Sequence, residues 1–174
     1  LENKGNRTLF QNKFTKNEKD IKINGLIWMG EYAFMSKQIQ KKLEDGFHCI
    51  KVKIGSLNFK DELNLLKQIR KNYKSTELEL RVDANGAYSS TNISYILSEL
   101  AKLDIHSIEQ PIAINQWNEM KNLCKDSPIP IALDEELIKP YTKKQKENLL
   151  QYIDPQYIVL KPSMLGGFKE TEEW

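Results

Sequence analysis

Apolar residues along this chain fall into two alternating rhythms. Short runs rich in β-branched side chains are each followed by a turn and a longer stretch whose apolar positions lie three and four residues apart, the spacing of one helical face. Residues 21–29, 49–54, 78–82, 107–108, 129–133 and 157–160 predict six strands. Helices are predicted over residues 36–45, where Ile39 and Leu43 share a face and Gly46 ends the helix, and over 60–73, striped by Leu63, Leu66, Ile69 and Tyr73. Further helices follow from the stripe Ile93, Ile96, Leu97 and Leu100 and from residues 116–124 and 143–152. Strands alternating with helices predict a parallel sheet, because parallel neighbours need a crossover long enough to hold a helix. No Gly/Ser linker or low-complexity tract divides the units, so residues 21–174 read as one α/β domain behind a polar, Lys/Asn-rich leading segment, residues 1–20. An open doubly wound sheet and a closed (β/α)8 barrel both fit this pattern. The glycines form neither G-x-G-x-x-G nor a P-loop, which removes support from nucleotide-binding versions.

What ends each strand narrows the choice. Five consecutive strands finish on an ionisable residue, Lys53, Asp83, Glu109, Asp134 and Lys161, at intervals of 30, 26, 25 and 27 residues. These are close to the roughly 31 residues per unit of a barrel of about 250, and they place all five at the C-terminal rim where such barrels keep their active sites. Side chains two apart share a face, so Lys51 lies with Lys53, Arg81 with Asp83, Ser107 with Glu109 and Ala132 with Asp134. Val52, Val82, Ile108, Leu133 and Leu160 then point out toward the helices. Three carboxylates on neighbouring strands repel one another unless a cation sits among them. Their all-oxygen character selects a hard metal, most simply Mg2+ with Mn2+ as the alternative, and the two rim lysines flank it. Singly, the same residues have plainer readings: a strand-end Asp or Glu caps a helix or pairs with a surface cation, Asp134 with Glu135 and Glu136 favours a helix N-terminus, and Asn85 suits a turn. Five in register favour a pocket.

Composition changes this picture little. With 174 residues, 40% apolar and 29% charged, and no run near the roughly 18 apolar residues of a membrane span, the chain reads as a globular domain with a cytoplasmic address and no signal peptide. A net charge of +2, spread along the chain, offers nucleic acid no basic surface. Cys49 and Cys124 are too few for a disulfide framework or a four-thiolate zinc site, and they sit beside apolar residues as inert buried thiols do. His48 and His106 precede strands and read as structural or surface residues. Trp28, Met29, Tyr32 and Phe34 read as core or rim packing near the pocket.

The ordered motifs Lys51-Val52-Lys53, Arg81-Val82-Asp83-Ala84-Asn85, Ile108-Glu109-Gln110-Pro111, Ala132-Leu133-Asp134-Glu135 and Leu160-Lys161-Pro162-Ser163 with Gly166-Gly167 resemble the enolase superfamily, in its muconate-lactonising branch, from Ile21 onward. Within that branch, residues 25–30 and 161–168 look like o-succinylbenzoate synthases of the Bacteroidetes type. The resemblance implies a TIM-type (β/α)8 barrel, Mg2+ held by Asp83, Glu109 and Asp134, and Lys53 and Lys161 as the catalytic pair. Lys51, Arg81, Asn85, Ser163 and Gly166 fall on the supporting or substrate side. The implied reaction is the menaquinone-pathway dehydration of 2-succinyl-6-hydroxy-2,4-cyclohexadiene-1-carboxylate to o-succinylbenzoate. In it Lys53 removes the proton beside the carboxylate and returns it to the departing hydroxyl, while Lys161 steadies the enediolate from the opposite face.

Length departs from the family pattern. Six of eight strands are counted, and neither a capping domain nor the last strands are found, so the chain is expected to be an incomplete barrel that lacks the parts recognising the succinyl tail and turns over poorly. Two further readings stand beside the first. One is an N-acylamino acid racemase or dipeptide epimerase that uses the two lysines as opposed acid/base groups; the other is a non-catalytic barrel fragment serving binding or assembly. The expected partner is a small-molecule carboxylate, exposed sheet edges are compatible with a homo-oligomer, and neither nucleic acid nor membrane is expected.

Overall fold

In the structure, a computed structural model that describes residues 10–174, the strands are β1 (Gly25–Ile27), β2 (Cys49–Lys53), β3 (Glu79–Asp83), β4 (Ser107–Glu109), β5 (Ile131–Leu133) and β6 (Tyr157–Ile158). Burial alternates along β1, β2 and, as far as Val82, β3, whereas β4 and β5 are buried at every position and β6 at none. All neighbours are parallel, and their order across the sheet is their order in the chain. Doubly wound sheets reverse direction part-way, so the unbroken order decides for successive units of a (β/α)8-type barrel, here an incomplete one. The helices α1 (Tyr32–Glu44), α2 (Phe59–Asn72), α3 (Ile93–Ala101), α4 (Trp117–Asp126), α5 (Lys143–Ile153) and α6 (Phe168–Glu173) follow the strands in turn, with a 3-10 turn at Glu135–Ile138 after β5. No helix among the described residues is long and apolar enough to cross a membrane.

The core lies between sheet and helices. Val52, Val82, Ile108 and Leu133 point into it as their alternation predicts, and they meet Met35, Leu66, Leu97 and Leu149 from the helices. Leu160 does not, being 40% exposed, because the ladder of β6 stops at Ile158. β1 is also shorter than residues 21–29: Ile21 and Ile23 are exposed, and beyond Ile27 the Gln38 side chain takes the place of a strand partner. Its Oε1 accepts from the Trp28 N–H (3.1 Å) and its Nε2 donates to the Trp28 carbonyl (3.0 Å). Tyr73 likewise leaves the predicted helical stripe, since the backbone is already extended there and α2 ends at Asn72. Gly46, at φ +80°, turns the chain out of α1 in the left-handed region that favours glycine. Of the leading segment, residues 1–9 lie outside the described residues. Residues 10–20 hold neither strand nor α-helix, and Phe10 meets Phe168 edge-on at 5.1 Å.

Register explains how the rim assembles. Lys53, Asp83 and Glu109 share one rung, which continues through Ala132 to Tyr157. Asp134 therefore stands two residues above that rung and Lys161 four above it. The drift is nil from β2 to β4 and two residues at each of the next two steps, which averages to one residue per strand, about the shear of an eight-stranded barrel. The stagger rises toward Asp134 and Lys161 along the rim.

Candidate active site

Three carboxylates and three ammonium groups form one chain of charges along this rim. Lys53 Nζ donates to Asp83 Oδ2 at 2.8 Å and to Asn85 Oδ1 at 2.6 Å. Lys51 Nζ donates to Glu109 Oε2 at 2.6 Å and lies 3.6 Å from Asp83 Oδ2. Lys161 Nζ donates to Asp134 Oδ2 and lies 4.0 Å from Glu109 Oε1. Asp83, Glu109 and Asp134 are all buried, whereas Lys161 is partly exposed. Asn85, at φ +45°, extends the chain of contacts by donating from Nδ2 to Glu135 Oε1 at 2.8 Å. The Trp28 ring lies 5.5 Å from Lys53 Nζ, so this exposed aromatic rims the site.

Burial is the largest influence on Glu109 and pushes its carboxyl up to about 7; Lys51 opposes the rise, and Asp83 and Asp134 add to it. Burial would lower the ammonium pKa of Lys161, but its hydrogen bond to Asp134 and the charges of Asp134, Glu109 and Glu135 together raise it above its ordinary value. Glu109 Oε1 and Glu135 Oε2 are buried without a hydrogen-bond partner.

Such unpaired oxygens in an all-oxygen donor set suit a hard divalent cation. Asp83, Glu109 and Asp134 are the residues that could hold it. They are not gathered around it in advance: among the described residues no three acidic, His or Cys groups surround a single point, and the ammonium groups of Lys51 and Lys161 stand between them.

The remaining expected residues lie apart from this chain. Arg81 donates from Nε to Glu79 Oε1 (2.6 Å), one layer toward the barrel floor. Ser163 and Gly166 are exposed in the turn after Lys161, where Met164 and Leu165 N–H groups return to the Lys161 carbonyl. His106 contacts Ser107 Oγ (3.0 Å) and stacks on Tyr157. Burial pushes the thiols of Cys49 and Cys124 up to about 11 and about 12, in keeping with inert roles.

Two buried carboxylates brace the loops carrying the site: Glu62, which periodicity left unremarked, and Glu136, which the sequence offered only as part of a helix N-terminus. Glu62, 1% exposed, accepts through Oε1 from the N–H groups of Gly55 (2.7 Å), Ser56 (3.0 Å) and Leu57 (3.0 Å), just beyond Lys53. Its Oε2 accepts from the Tyr88 hydroxyl at 3.2 Å, tying the β2 loop to the β3 loop. Glu136 accepts from the Asn115 N–H and the Trp117 Nε1–H (2.7 Å), tying the β4 loop to the segment after Asp134. Glu62→Ala strands three N–H groups and is expected to cost about 2 kcal/mol of stability. Urea denaturation measures it, and a midpoint unchanged from the parent would show that the brace carries no stability.

The enolase C-terminal domain-like family matches residues 35–173, most of the chain. The chain belongs to this family. Within the enolase superfamily it is 51% identical, over 98% of its length, to o-succinylbenzoate synthase of Desulfotalea psychrophila strain LSv54, covering 46% of that protein. The crystal structure of MenC from the same organism superposes with a TM-score of 0.85 at 51% identity, over 95% of this chain and 45% of that one. L-Ala-D/L-Glu epimerase of Francisella tularensis subsp. novicida is 29% identical over 90% of this chain and 42% of its own. A dipeptide epimerase from Cytophaga hutchinsonii, crystallised with Mg and the dipeptide D-Ala-L-Val, shares the fold with a TM-score of 0.77 at 24% identity, over 90% of this chain and 41% of that one. This enolase-superfamily chain thus spans about half the length of the curated relatives it matches.

Proposed function

We propose that the protein containing this chain is an Mg2+-dependent o-succinylbenzoate synthase, which dehydrates 2-succinyl-6-hydroxy-2,4-cyclohexadiene-1-carboxylate for menaquinone biosynthesis. The observation that carries this reading is the 51% identity, sustained over 98% of the chain, to a protein with that name. When bound by Asp83, Glu109 and Asp134, the metal offers a Lewis-acid centre for the substrate carboxylate. Lys53, held by Asp83 and Asn85, takes the proton from the carbon beside that carboxylate. The released electron pair moves toward the carboxylate and then into the ring as the C–OH bond breaks. Lys53 returns the proton to the leaving hydroxyl, so water departs and the ring becomes aromatic. Lys161, kept cationic by Asp134, faces the negative charge that develops in between. Trp28 shelters the Lys53 side of the rim from solvent.

The complete open reading frame, purified with Mg2+, tests the reading. Conversion of the cyclohexadiene to o-succinylbenzoate is expected, with little epimerisation of L-Ala-L-Glu. Efficient epimerisation without dehydration would instead favour the two-base reading, to which two opposed lysines and the 29% identical epimerase lend support.

Glu109 makes cation binding pH-dependent. In the metal-free fold its pKa is raised from near 4.5 to about 7, so the stability it contributes is full below about 4.5 and lost as pH rises through about 7. A cation needs the ionised carboxylate and competes with the proton. The melting temperature is therefore expected to rise more on adding about 10 mM Mg2+ at about pH 8 than at about pH 5.5. Glu109→Gln should erase that difference, and an equal Mg2+ effect at both pH values would contradict the assignment.

A further inference from the structure

Gln110 follows Glu109 directly in the chain, yet both side chains serve the same rim. A residue after an inward-facing strand position ordinarily points to the helix layer. Here the backbone turns into the left-handed region, φ +39°, which is uncommon for a residue other than glycine and is held only where surroundings enforce it. The enforcement is visible. Gln110 is 1% exposed and each of its polar groups is engaged. Its N–H donates to the Ala132 carbonyl (2.8 Å), and its own carbonyl accepts from the Gly86 N–H (2.7 Å). Its side-chain Nε2 donates to the Ile112 carbonyl (3.0 Å). Its Oε1 accepts from the N–H groups of both Asp134 (3.1 Å) and Glu136 (3.3 Å).

That last pair of bonds matters because Asp134 lies outside the β5 ladder, which ends at Leu133, and its backbone is irregular at φ −129°, ψ −82°. Glu109 is held by β4, whereas the Asp134 main chain is caught by the side chain of Glu109's own neighbour. We propose that Gln110 is a positioning residue that sets the spacing between the Glu109 and Asp134 carboxylates, and through it the affinity and size selectivity of the divalent cation. The proposal rests on the cation reading of the site given above. Mg2+ demands short, near-octahedral contacts, while the larger Ca2+ accepts looser ones, so a slackened spacing penalises Mg2+ first.

Gln110→Asn isolates this role. Asn tolerates the left-handed backbone at least as well as Gln and keeps the amide, but it is one methylene too short to reach the Asp134 N–H. Gln110→Leu removes the acceptor altogether, and Ile153→Val, in the core away from the rim, controls for general loosening. Free Mn2+ is followed by electron paramagnetic resonance while each protein is titrated with Mn2+, then in competition with Mg2+ and with Ca2+. Thermal melts of the metal-free proteins are recorded alongside. Gln110→Asn leaves the buried Asp134 and Glu136 N–H groups without their acceptor, so it is expected to melt below the parent while staying folded, and to bind Mg2+ about 10- to 100-fold more weakly, with a smaller loss for Ca2+, so that the preference for Mg2+ falls. Gln110→Leu should show the same shift wherever it folds, and Ile153→Val should not. A parent that binds no Mn2+ would overturn the cation reading and this inference together. A parent that binds, with Gln110→Asn unchanged in Mg2+ affinity or losing Mg2+ and Ca2+ equally, would overturn the inference alone.

Discussion

Lys53→Ala in the complete enzyme is expected to abolish both dehydration and the exchange of the substrate's α-proton with solvent, a loss of about 10^3-fold or more, in the range for general acid–base groups. The reason is placement. Lys53 Nζ sits on the outermost inward-facing rung of β2, fixed by Asp83 and Asn85 and roofed by Trp28. The neighbouring amine, Lys51, lies one layer deeper and is bonded to Glu109, so it is not poised to take over. Product formation measured together with deuterium uptake in D2O separates proton removal from the later loss of water. Exchange that persists at the parent rate would show that another group is the base.

Lys161→Ala tests a different kind of contribution. The ammonium group is held cationic by Asp134, Glu109 and Glu135, and in the proposed reaction it would face charge that grows only as the reaction proceeds. Its removal is expected to lower kcat by about 3 kcal/mol, roughly 10^2-fold, with a much smaller change in KM. Lys161→Arg keeps the charge but replaces a compact head group with a planar fork, so partial recovery is expected at best. An enzyme that used the lysines as two opposed bases would behave otherwise. Each lysine variant would then keep α-proton exchange for one substrate enantiomer and lose it for the other, a pattern that reassigns the chemistry to epimerisation.

Much of this arrangement could be read from the chain because it follows from periodicity. Period-two alternation put Val52, Val82, Ile108 and Leu133 in the core and Lys53, Asp83 and Glu109 together on one face, where the structure has them. Features that depend on tertiary partners could not be read. Glu62 looks like any acidic residue in the first turn of a helix; its importance comes from three N–H groups aligned by the turn at Gly55, φ +93°, where an added Cβ would meet Ala87 Cβ at 2.4 Å. Gln110 sits within a motif, but its role depends on a left-handed backbone that no spacing rule announces. β1 was overestimated because a distant side chain, Gln38, replaces the ladder where apolar residues continue. The cation expected among the carboxylates has competitors in Lys51 and Lys161, whose reach across strands depends on side-chain direction rather than on chain position.

The stagger of the rim, averaging one residue per strand, has a bearing on how such a chain can change over evolutionary time. The rim residues are counted by rungs, so the regular intervals between them along the chain are incidental, and helices and their outer connections are free to gain or lose residues. Within a strand that freedom vanishes. A single deletion in β5 ahead of Asp134 would turn its carboxylate toward the helices, and a double deletion would drop it by a layer, onto the rung that Ala132 shares with Glu109. Insertions compatible with activity are thus confined to the segments between strands, and a length change inside β2 to β5 in a homologue marks one whose chemistry has been lost or rebuilt.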